Sequence, residues 1–509
     1  MALPSLWIED TPFPTYPKLR GNLDTDVLVV GAGIAGMTAS LLLRQAGKRV
    51  ALIEARQVGH GETGQTTAHL TEMLDARYHV LESKFGHEGA RLAAESSRAA
   101  IDRIESFVGG LGVDCGFERV PGYLYAEDEK QRSDLEKELE SLQRAGADVA
   151  WVDSFPLPIR VDGALRVERQ AQLHPLEYVR ALAAQLVSSG GQIFEGTRLL
   201  DVDEGTPCRV STTGGAVTAE HVLVLTNAPV STRFALHPKI AAYRTYALAA
   251  RLEKPFAAGL FWDMQDPYHY TRTQKTRSGS FLIVGGEDHK TGKKKETGEC
   301  FDRLREYAAT QFGIADISHR WSGQVLEPVD GLPFIGRNPG ARHVHVATGF
   351  SGNGMTFGTL AAMILCDAVL GVENPWAELY DATRVKPLAQ AREFVAENVD
   401  FPAHLVTDRL VRGEAGSIDQ VPSGQGRLLR SGRRMVAVYR DEAGTVHARS
   451  AVCTHLGCHV QWNQEERSWD CPCHGSRFDV DGAVLNGPAV KDLEEATVEP
   501  ASDERAPNE

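Results

Sequence analysis

Residues 26–54 read DVLVVGAGIAGMTASLLLRQAGKRVALIE. The apolar run Asp26–Val30 reads as a buried strand, and a helix follows through about Gln45. A second strand, RVALIEA, ends at Glu54. Between the first strand and the helix, Gly31, Gly33 and Gly36 form G-x-G-x-x-G. The first glycine permits the tight turn, the second lets a pyrophosphate approach the backbone, and the third lets helix and strand pack closely. The helix N-terminus meets phosphates with N–H groups and a positive dipole end. Glu54 stands where a ribose needs an acceptor. A lone G-x-G-x-x-G is weak evidence, but strand, helix and acid in register make a dinucleotide site specific. The fingerprint by itself does not separate NAD from FAD.

The chain has 509 residues, too many for one core, so two to four domains are expected. Its formal net charge of −14 argues against a broad surface for nucleic acid or anionic membrane. The N-terminus has no basic segment leading into an apolar core, and no apolar run reaches spanning length. LAAMILCDAVL (360–370) reads as a buried helix. A cytoplasmic enzyme without membrane insertion is the expectation. Cys115, Cys208, Cys300 and Cys366 are scattered and read as buried free thiols.

Along the chain, residues 85–110 and 130–146 have helical periodicity, and 192–226 and 240–290 have strand patterns. After 342 come the strand HVHVATGF, a glycine turn and a helix. A charged helical segment runs to about Asn398. The stretch RRMVAVYRDEAGTVHARSAV reads as a hairpin around E-A-G.

Two further stretches choose the cofactor. GHGETGQTTAHL (59–70), with DGLPFIGR (330–337) and HVATGFSGNGMTFG (345–358), resembles the D-amino-acid-oxidase superfamily of flavoenzymes, which includes glycine oxidase and sarcosine oxidase. The resemblance covers residues 1 to about 395 and implies FAD. It implies that Thr63, Thr66 and Thr67 sit near the flavin phosphates and ring. It also implies that the turn with Gly349, Gly352, Gly354, Met355 and Thr356 aims a helix N-terminus at the pyrimidine end of the flavin, where the dipole stabilises negative charge. Members take a hydride from a carbon bonded to nitrogen. Glycine-oxidase-like proteins carry an arginine at the fifth position of WSGQVLEPVDG (321–331) to grip a carboxylate, where this chain has Val325. That favours an amine over a simple α-amino acid. Sarcosine-oxidase-like proteins place a lysine near the flavin for reaction with oxygen, and the matching position here is Ile283. Tyr268, Tyr270 and Arg272 are the candidate catalytic residues lining the substrate cavity. His69 reads as a packed, hydrogen-bonded histidine beside the flavin motif.

At the other end, CTHLGCHVQWNQEERSWDCPCHGS (453–476) places Cys453-x-His455 before Cys471-x-x-His474. Zinc fingers seldom use C-x-H. The arrangement resembles the Rieske [2Fe–2S] protein of cytochrome bc complexes over residues 409–500. The resemblance implies Cys453, His455, Cys471 and His474 as cluster ligands, a disulfide between Cys458 and Cys473, Ser476 donating to a bridging sulfide, and a covering loop at Gly487–Pro488–Ala489. Two imidazoles in place of thiolates raise the potential of such a cluster. High-potential relatives have tyrosine where this chain has Phe478, so a middle potential is expected.

The expected architecture is an α/β FAD-binding, Rossmann-like domain with an inserted α+β substrate domain on a mixed, mostly antiparallel sheet, then a C-terminal all-β Rieske domain. The expected boundaries are an extended arm at 1–21, FAD-binding segments at 22–84, 171–230 and 321–398, and substrate-domain segments at 85–170 and 231–320. A linker follows at 399–408, the Rieske domain at 409–500 and a disordered tail at 501–509. The expected activity is a dehydrogenase that oxidises the C–N bond of a small-molecule amine and passes electrons through the cluster, with an external redox partner. Two other readings stand beside it. One is an oxygen-using oxidase with a structural or docking Rieske module. The other is an electron-transfer protein whose cluster reduces the flavin.

Overall fold

The structure, a computed structural model, describes residues 4–152, 154–230, 236–294, 296–385, 414–415 and 417–498. The expected linker and tail, and the segment reaching Asn398, lie outside the described residues. Among the described residues two compact units form, one from 4–288 and 300–385 and the other from 289–299 and 414–498.

The first unit holds two sheets. In the first, the strands Val344–Thr348, Gly215–Val224, Leu23–Val30, Val50–Ile53 and Gln192–Phe194 lie side by side in that order and are parallel. An antiparallel edge, Phe334–Arg337, pairs with Val344–Thr348. Val27–Val30 are all buried, as a parallel strand covered on both faces requires. The helices Ile34–Gln45 and Gly354–Leu370 pack so closely that a Cβ on Gly358 would meet Ile34 Cγ2 at 2.8 Å.

The second sheet has nine strands and is mostly antiparallel. Leu260–Trp262 pairs in parallel with Gly122–Leu124. His269–Thr276 runs antiparallel to Gly279–Lys290, with Tyr270 opposite Gly285 and Arg272 opposite Ile283.

Several sequence expectations need correction. The N-terminal arm is not wholly extended: Leu6–Asp10 is a helical turn capped by Ser5, and Leu6 and Trp7 are buried in the core. The boundary at 84/85 falls inside the helix Tyr78–Leu111, which breaks its helical φ/ψ only at Gly86 (φ 73°). The strand His319–Pro328 belongs to the second sheet, paired with Ile240–Arg251, so the boundary at 321 cuts a strand. Residues 289–299 group with the C-terminal unit and not with the substrate domain. For the last two, long-range pairing that local pattern does not encode set the outcome.

The second unit contains a three-stranded antiparallel sheet, Gln425–Ser431, Arg434–Arg440 and Val446–Ser450. The expected hairpin at 434–450 is present. A four-stranded sheet follows: Gln461–Asn463, Ser468–Asp470, Arg477–Phe478 and Val484–Asn486. Thr297 Oγ1 donates to Asn463 Oδ1 at 2.8 Å, which ties 289–299 into this unit. No helix among the described residues is long and apolar enough to cross a membrane.

Candidate functional sites

The glycine turn is closed by backbone. A Cβ on Gly31 would meet Leu225 O at 2.4 Å, and one on Gly36 would meet Gly31 O at 1.8 Å. Gly31 also has φ +104°. Both positions therefore require glycine. Glu54 accepts from Ala32 N and Arg56 N, each at 2.9 Å, which fixes the carboxylate beside the turn. Thr63 Oγ1 accepts from Ile34 N at 3.0 Å, at the first turn of the helix. Gly33, the residue that caps this helix, has no side chain to occupy the site.

The loop that carries Thr66 and Thr67 is held by its carbonyls. Ser5 Oγ donates to Gly64 O, Trp321 Nε1 to Gln65 O at 2.8 Å, Trp7 Nε1 to Thr66 O at 2.6 Å, and Arg272 Nε to Thr67 O. Arg272 is therefore not a cavity residue. It is buried, lies over Trp7 at 5.4 Å, and spends its other donors on Thr273 O, Gln274 Oε1 and Leu173 O. Desolvation pushes its pKa down to about 9. Ile283 faces an apolar cluster with Leu6, Trp7 and Trp321. Val325 pairs with Tyr243 in the second sheet.

Two buried atoms of this loop, Gln65 Oε1 and His69 Nε2, have no hydrogen-bond partner. A buried polar atom left so costs about 1–3 kcal/mol, and a polar ligand lying on the loop removes that cost. His69 packs between Trp262 (5.1 Å) and Tyr270 (5.5 Å), and Thr67 Oγ1 lies 3.2 Å from its Nδ1. Burial, then the Arg272 charge, hold its pKa well below the usual range, so the ring is neutral. The glycine cradle, the fixed acid and the orphaned loop atoms fit a flavin dinucleotide.

The Gly352 turn is bound to residues 73–75. Gly352 N donates to Asp75 Oδ2, Asp75 N donates to Asn353 Oδ1 at 3.3 Å, and Asn353 Nδ2 donates to Met73 O at 3.1 Å. Asn353 makes no side-chain cap, which leaves the first turn at Gly354, Met355 and Thr356 open to a cofactor. Gly349 takes φ +76° in the lead-in.

Beside this turn lies a cavity of about 210 Å³ lined by Met73, Asp75, Arg77, Trp262, Met264, Gln265 and Tyr268. Tyr268 lines it, and its hydroxyl donates to Asp75. Asp75 is only partly covered, as a group facing a cavity is, and burial raises its pKa above the usual carboxylate range. Tyr270 is set behind Tyr268, with ring centroids 5.7 Å apart. Its hydroxyl meets Thr245 Oγ1 at 2.7 Å, and its ring covers Gly285, where a Cβ would sit 2.1 Å from Tyr270 Cε2. Asp288 bonds the same Thr245 hydroxyl, and burial pushes its pKa up to about 7.

The wall formed by 262–268 is clamped by one acid. Buried Asp263 accepts from Gln265 N (3.2 Å) and His269 N (2.7 Å), and its Oδ2 lies 2.8 Å from His269 Nδ1. Glu287 approaches His269 Nε2 at 3.6 Å, and Tyr307 stacks on the ring at 4.0 Å. Burial works against the imidazolium, but hydrogen bonds to Asp263 and Glu287 prevail and raise its pKa to about 9. Sequence reasoning missed Asp75, Arg77, Asp263 and His269. For Asp263 and His269 the signal was the density of polar residues in FWDMQDPYHYTRT (261–273), and Asp75 and Arg77 lie outside that stretch.

In the second unit two loops repeat one turn. Gly457 N donates to Cys453 O and Gly475 N to Cys471 O, each at 3.0 Å, with positive φ at both glycines. The turns bring the Cys453 and Cys471 thiols together, buried, and set the His455 and His474 rings 5.0 Å apart at 89°. The imidazoles keep part of their surface accessible. A hydrogen bond from Cys471 pushes Cys453 down to about 7, while Cys471 itself is pushed up. The loop amides of His455 and Leu456 and the Ser476 hydroxyl also favour the Cys453 thiolate. Cys458 and Cys473 form a disulfide that joins the loops. The Cys471 sulfur lies within 4.8 Å of both disulfide sulfurs, but those two are committed to each other and are not ligands. Ser476 Oγ accepts from Ala489 N at 3.1 Å, next to Pro488. A Cβ on Gly292 would meet Pro472 N at 2.8 Å, so residues 289–299 brace this loop. Two buried thiols beside two half-buried histidines fit a [2Fe–2S] cluster with mixed ligation.

Comparison with known proteins agrees with both halves. The family model for FAD dependent oxidoreductases matches residues 26–368, and that for the Rieske [2Fe-2S] domain matches 413–497. YhfW of Bacillus subtilis (strain 168), by name a Rieske 2Fe-2S iron-sulfur protein, is 33% identical over 492 residues, covering 96% of each chain. Gamma-glutamylputrescine oxidoreductase of Escherichia coli (strain K12) is 25% identical over 73% of this chain and 88% of its own. The crystal structure of glycine oxidase from Geobacillus kaustophilus superposes with a TM-score of 0.62 at 21% identity, over 72% of this chain and all of that one.

Proposed function

Since the chain belongs to the FAD dependent oxidoreductase family, carries a Rieske [2Fe-2S] domain and binds both cofactors, we propose that it is an amine dehydrogenase that passes its electrons on through the cluster. When bound, the flavin supplies a hydride acceptor and the cluster a one-electron carrier. The substrate carbon loses a hydride and its nitrogen a proton, which leaves an imine for water to hydrolyse.

The observation that carries the amine reading is the acid in the cavity. Asp75 lines it, Asp288 stands behind the Tyr270–Thr245 pair, and position 325 holds valine. A carboxylate oriented by Gly352 N and the Tyr268 hydroxyl suits a cationic nitrogen. Its raised pKa suits it to take that nitrogen's proton before hydride loss. Trp262, Met264 and Met73 give the same cavity an apolar wall for the substrate's carbon skeleton. The E. coli relative is named for an amine substrate, which supports the same class. An external protein or small molecule takes the electrons from the cluster.

The test is anaerobic addition of primary, secondary and N-methyl amines to the holoenzyme. Bleaching of flavin and cluster together, in proportion to substrate, is expected. Bleaching of the flavin alone, with hydrogen peroxide formed in air at one per substrate, would make the chain an oxidase. Reduction of the flavin by an external donor only while the cluster is intact would reverse the direction of flow.

A further inference from the structure

We propose that His69, Thr67, Tyr270, Thr245 and Asp288 form a proton exit for the reaction whose electrons leave through the cluster. The inference rests on the dehydrogenase reading above and deepens it. Turning an amine into an imine breaks one C–H and one N–H bond, makes a C=N double bond, and releases two electrons and two protons. An oxidase delivers all of them to oxygen as hydrogen peroxide. A relay to an external one-electron acceptor takes the two electrons singly and leaves both protons behind. Asp75 takes the proton of the nitrogen. The proton of the former C–H bond needs a way out of its own.

One hydrogen-bonded row runs from the flavin loop to a buried acid. Thr67 Oγ1 lies 3.2 Å from His69 Nδ1. The Tyr270 hydroxyl bonds the Thr67 hydroxyl and meets Thr245 Oγ1 at 2.7 Å. Thr245 in turn bonds Asp288. With its hydrogen on Nδ1, His69 donates to Thr67, and each hydroxyl then accepts one hydrogen bond and donates the next until a carboxylate ends the row. The other ring nitrogen, Nε2, is buried and has no hydrogen-bond partner among the described residues. A proton taken up there releases the Nδ1 proton to Thr67, each hydroxyl passes on its own, and Asp288 receives one. Protons balance along the row, and no electron moves in it.

The row is held in place. Arg272 Nε holds Thr67 O, and the His69 ring packs between Trp262 and Tyr270. The Tyr270 ring lies on Gly285, where a Cβ would sit 2.1 Å from Tyr270 Cε2. The two ends differ as an exit requires. Burial and the Arg272 charge disfavour a protonated His69, so the ring passes a proton on and does not keep it. Burial brings Asp288 up to about 7, which lets it gain and lose a proton at neutral pH. Asp288 is also partly exposed, so it can hand the proton to water.

The test is proton release from the photoreduced holoenzyme. It is mixed anaerobically, in lightly buffered solution with a pH-indicating dye, with ferricenium as the one-electron oxidant. In the wild type the dye signal should keep pace with the return of flavin absorbance, and it should slow in heavy water. Thr245→Val and Tyr270→Phe keep the side-chain shape and remove a hydroxyl from the row. Each should slow proton release on the order of a hundredfold, the weight of a positioned acid or base, in protein that retains its flavin. Thr245→Ser, which keeps the hydroxyl, should recover most of the rate. Proton release at the wild-type rate in both Thr245→Val and Tyr270→Phe overturns the proposal. So does a loss in Thr245→Val that Thr245→Ser shares in full. The measurement uses no amine, so its failure is distinct from failure of the dehydrogenase reading, which shows as bleaching of the flavin alone with peroxide formed in air.

Discussion

The candidate ligands of the cluster, Cys453, His455, Cys471 and His474, all lie within residues 453–476, on two loops that repeat one glycine-closed turn. The cavity of the first unit draws on residues 73–77 and 262–268, is held by Gly352, and is backed by Thr245, Asp288 and the clamp at His269. The first is a short-range site, in which spacing along the chain sets spacing between donors. The second is a long-range site, in which a nine-stranded sheet brings distant segments to one wall. A short-range site is sensitive to its ligand atoms. A long-range site is sensitive to whatever fixes the strands and loops that carry it.

The largest expected effects separate the two regions. Cys453→Ser with Cys471→Ser should remove nearly all iron and the cluster's visible spectrum while flavin content stays near that of the wild type. Gly36→Val should do the converse, because a Cβ 1.8 Å from Gly31 O is incompatible with the turn. Iron and flavin assays on the purified variants check both, and loss of both cofactors in either variant would break the comparison.

Next comes Arg272→Met. It leaves Thr67 O, Leu173 O, Thr273 O and Gln274 Oε1 without their donor and loosens the flavin loop. We expect about 2–4 kcal/mol of destabilisation and weaker flavin retention, read by thermal melting and by flavin release on dilution. Unchanged retention would return Arg272 to a merely local role.

A smaller, pH-dependent effect follows from His269. Its folded pKa is raised to about 9 from an ordinary 6.5. Its contribution to stability is therefore full below 6.5 and is lost as pH rises through 9. Melting temperature measured across that window should fall, and His269→Gln should flatten that part of the profile. An equally steep fall in the variant would point to another group. The smallest effect is expected for Phe478→Tyr. Phe478 is buried in one cluster with Cys453 and Cys471. A hydroxyl reaching a ligand sulfur there should raise the cluster potential by some tens of millivolts, read by voltammetry.

Much of the site was legible because its information is local. C-x-H and C-x-x-H lie on turns whose closing hydrogen bonds span four residues, and G-x-G-x-x-G with Glu54 is one strand–turn–helix–strand unit whose bonds stay within about thirty residues. Tyr268 was legible in part, since FWDMQDPYHYTRT sets two tyrosines at the start of a half-buried strand. Arg272 was misread because its acceptors are carbonyls at 67 and 173, which no pattern around residue 272 announces. The arm at 1–21, read as extended, hid the place of Trp7 for the same reason: its indole donates to Thr66 O, far along the chain, and is fully buried.

The sequence by itself determined which cofactors the chain holds, because the dinucleotide fingerprint and the two cysteine–histidine loops are short motifs in which residue spacing carries the pattern. Only the tertiary structure decided what lines the cavity of the first unit and what holds its wall. Asp75 and Arg77 precede a helix, and Asp263 and His269 bracket a loop. They come together through strand pairings between segments far apart in sequence, and those pairings are set by burial of side chains against partners that local periodicity cannot specify.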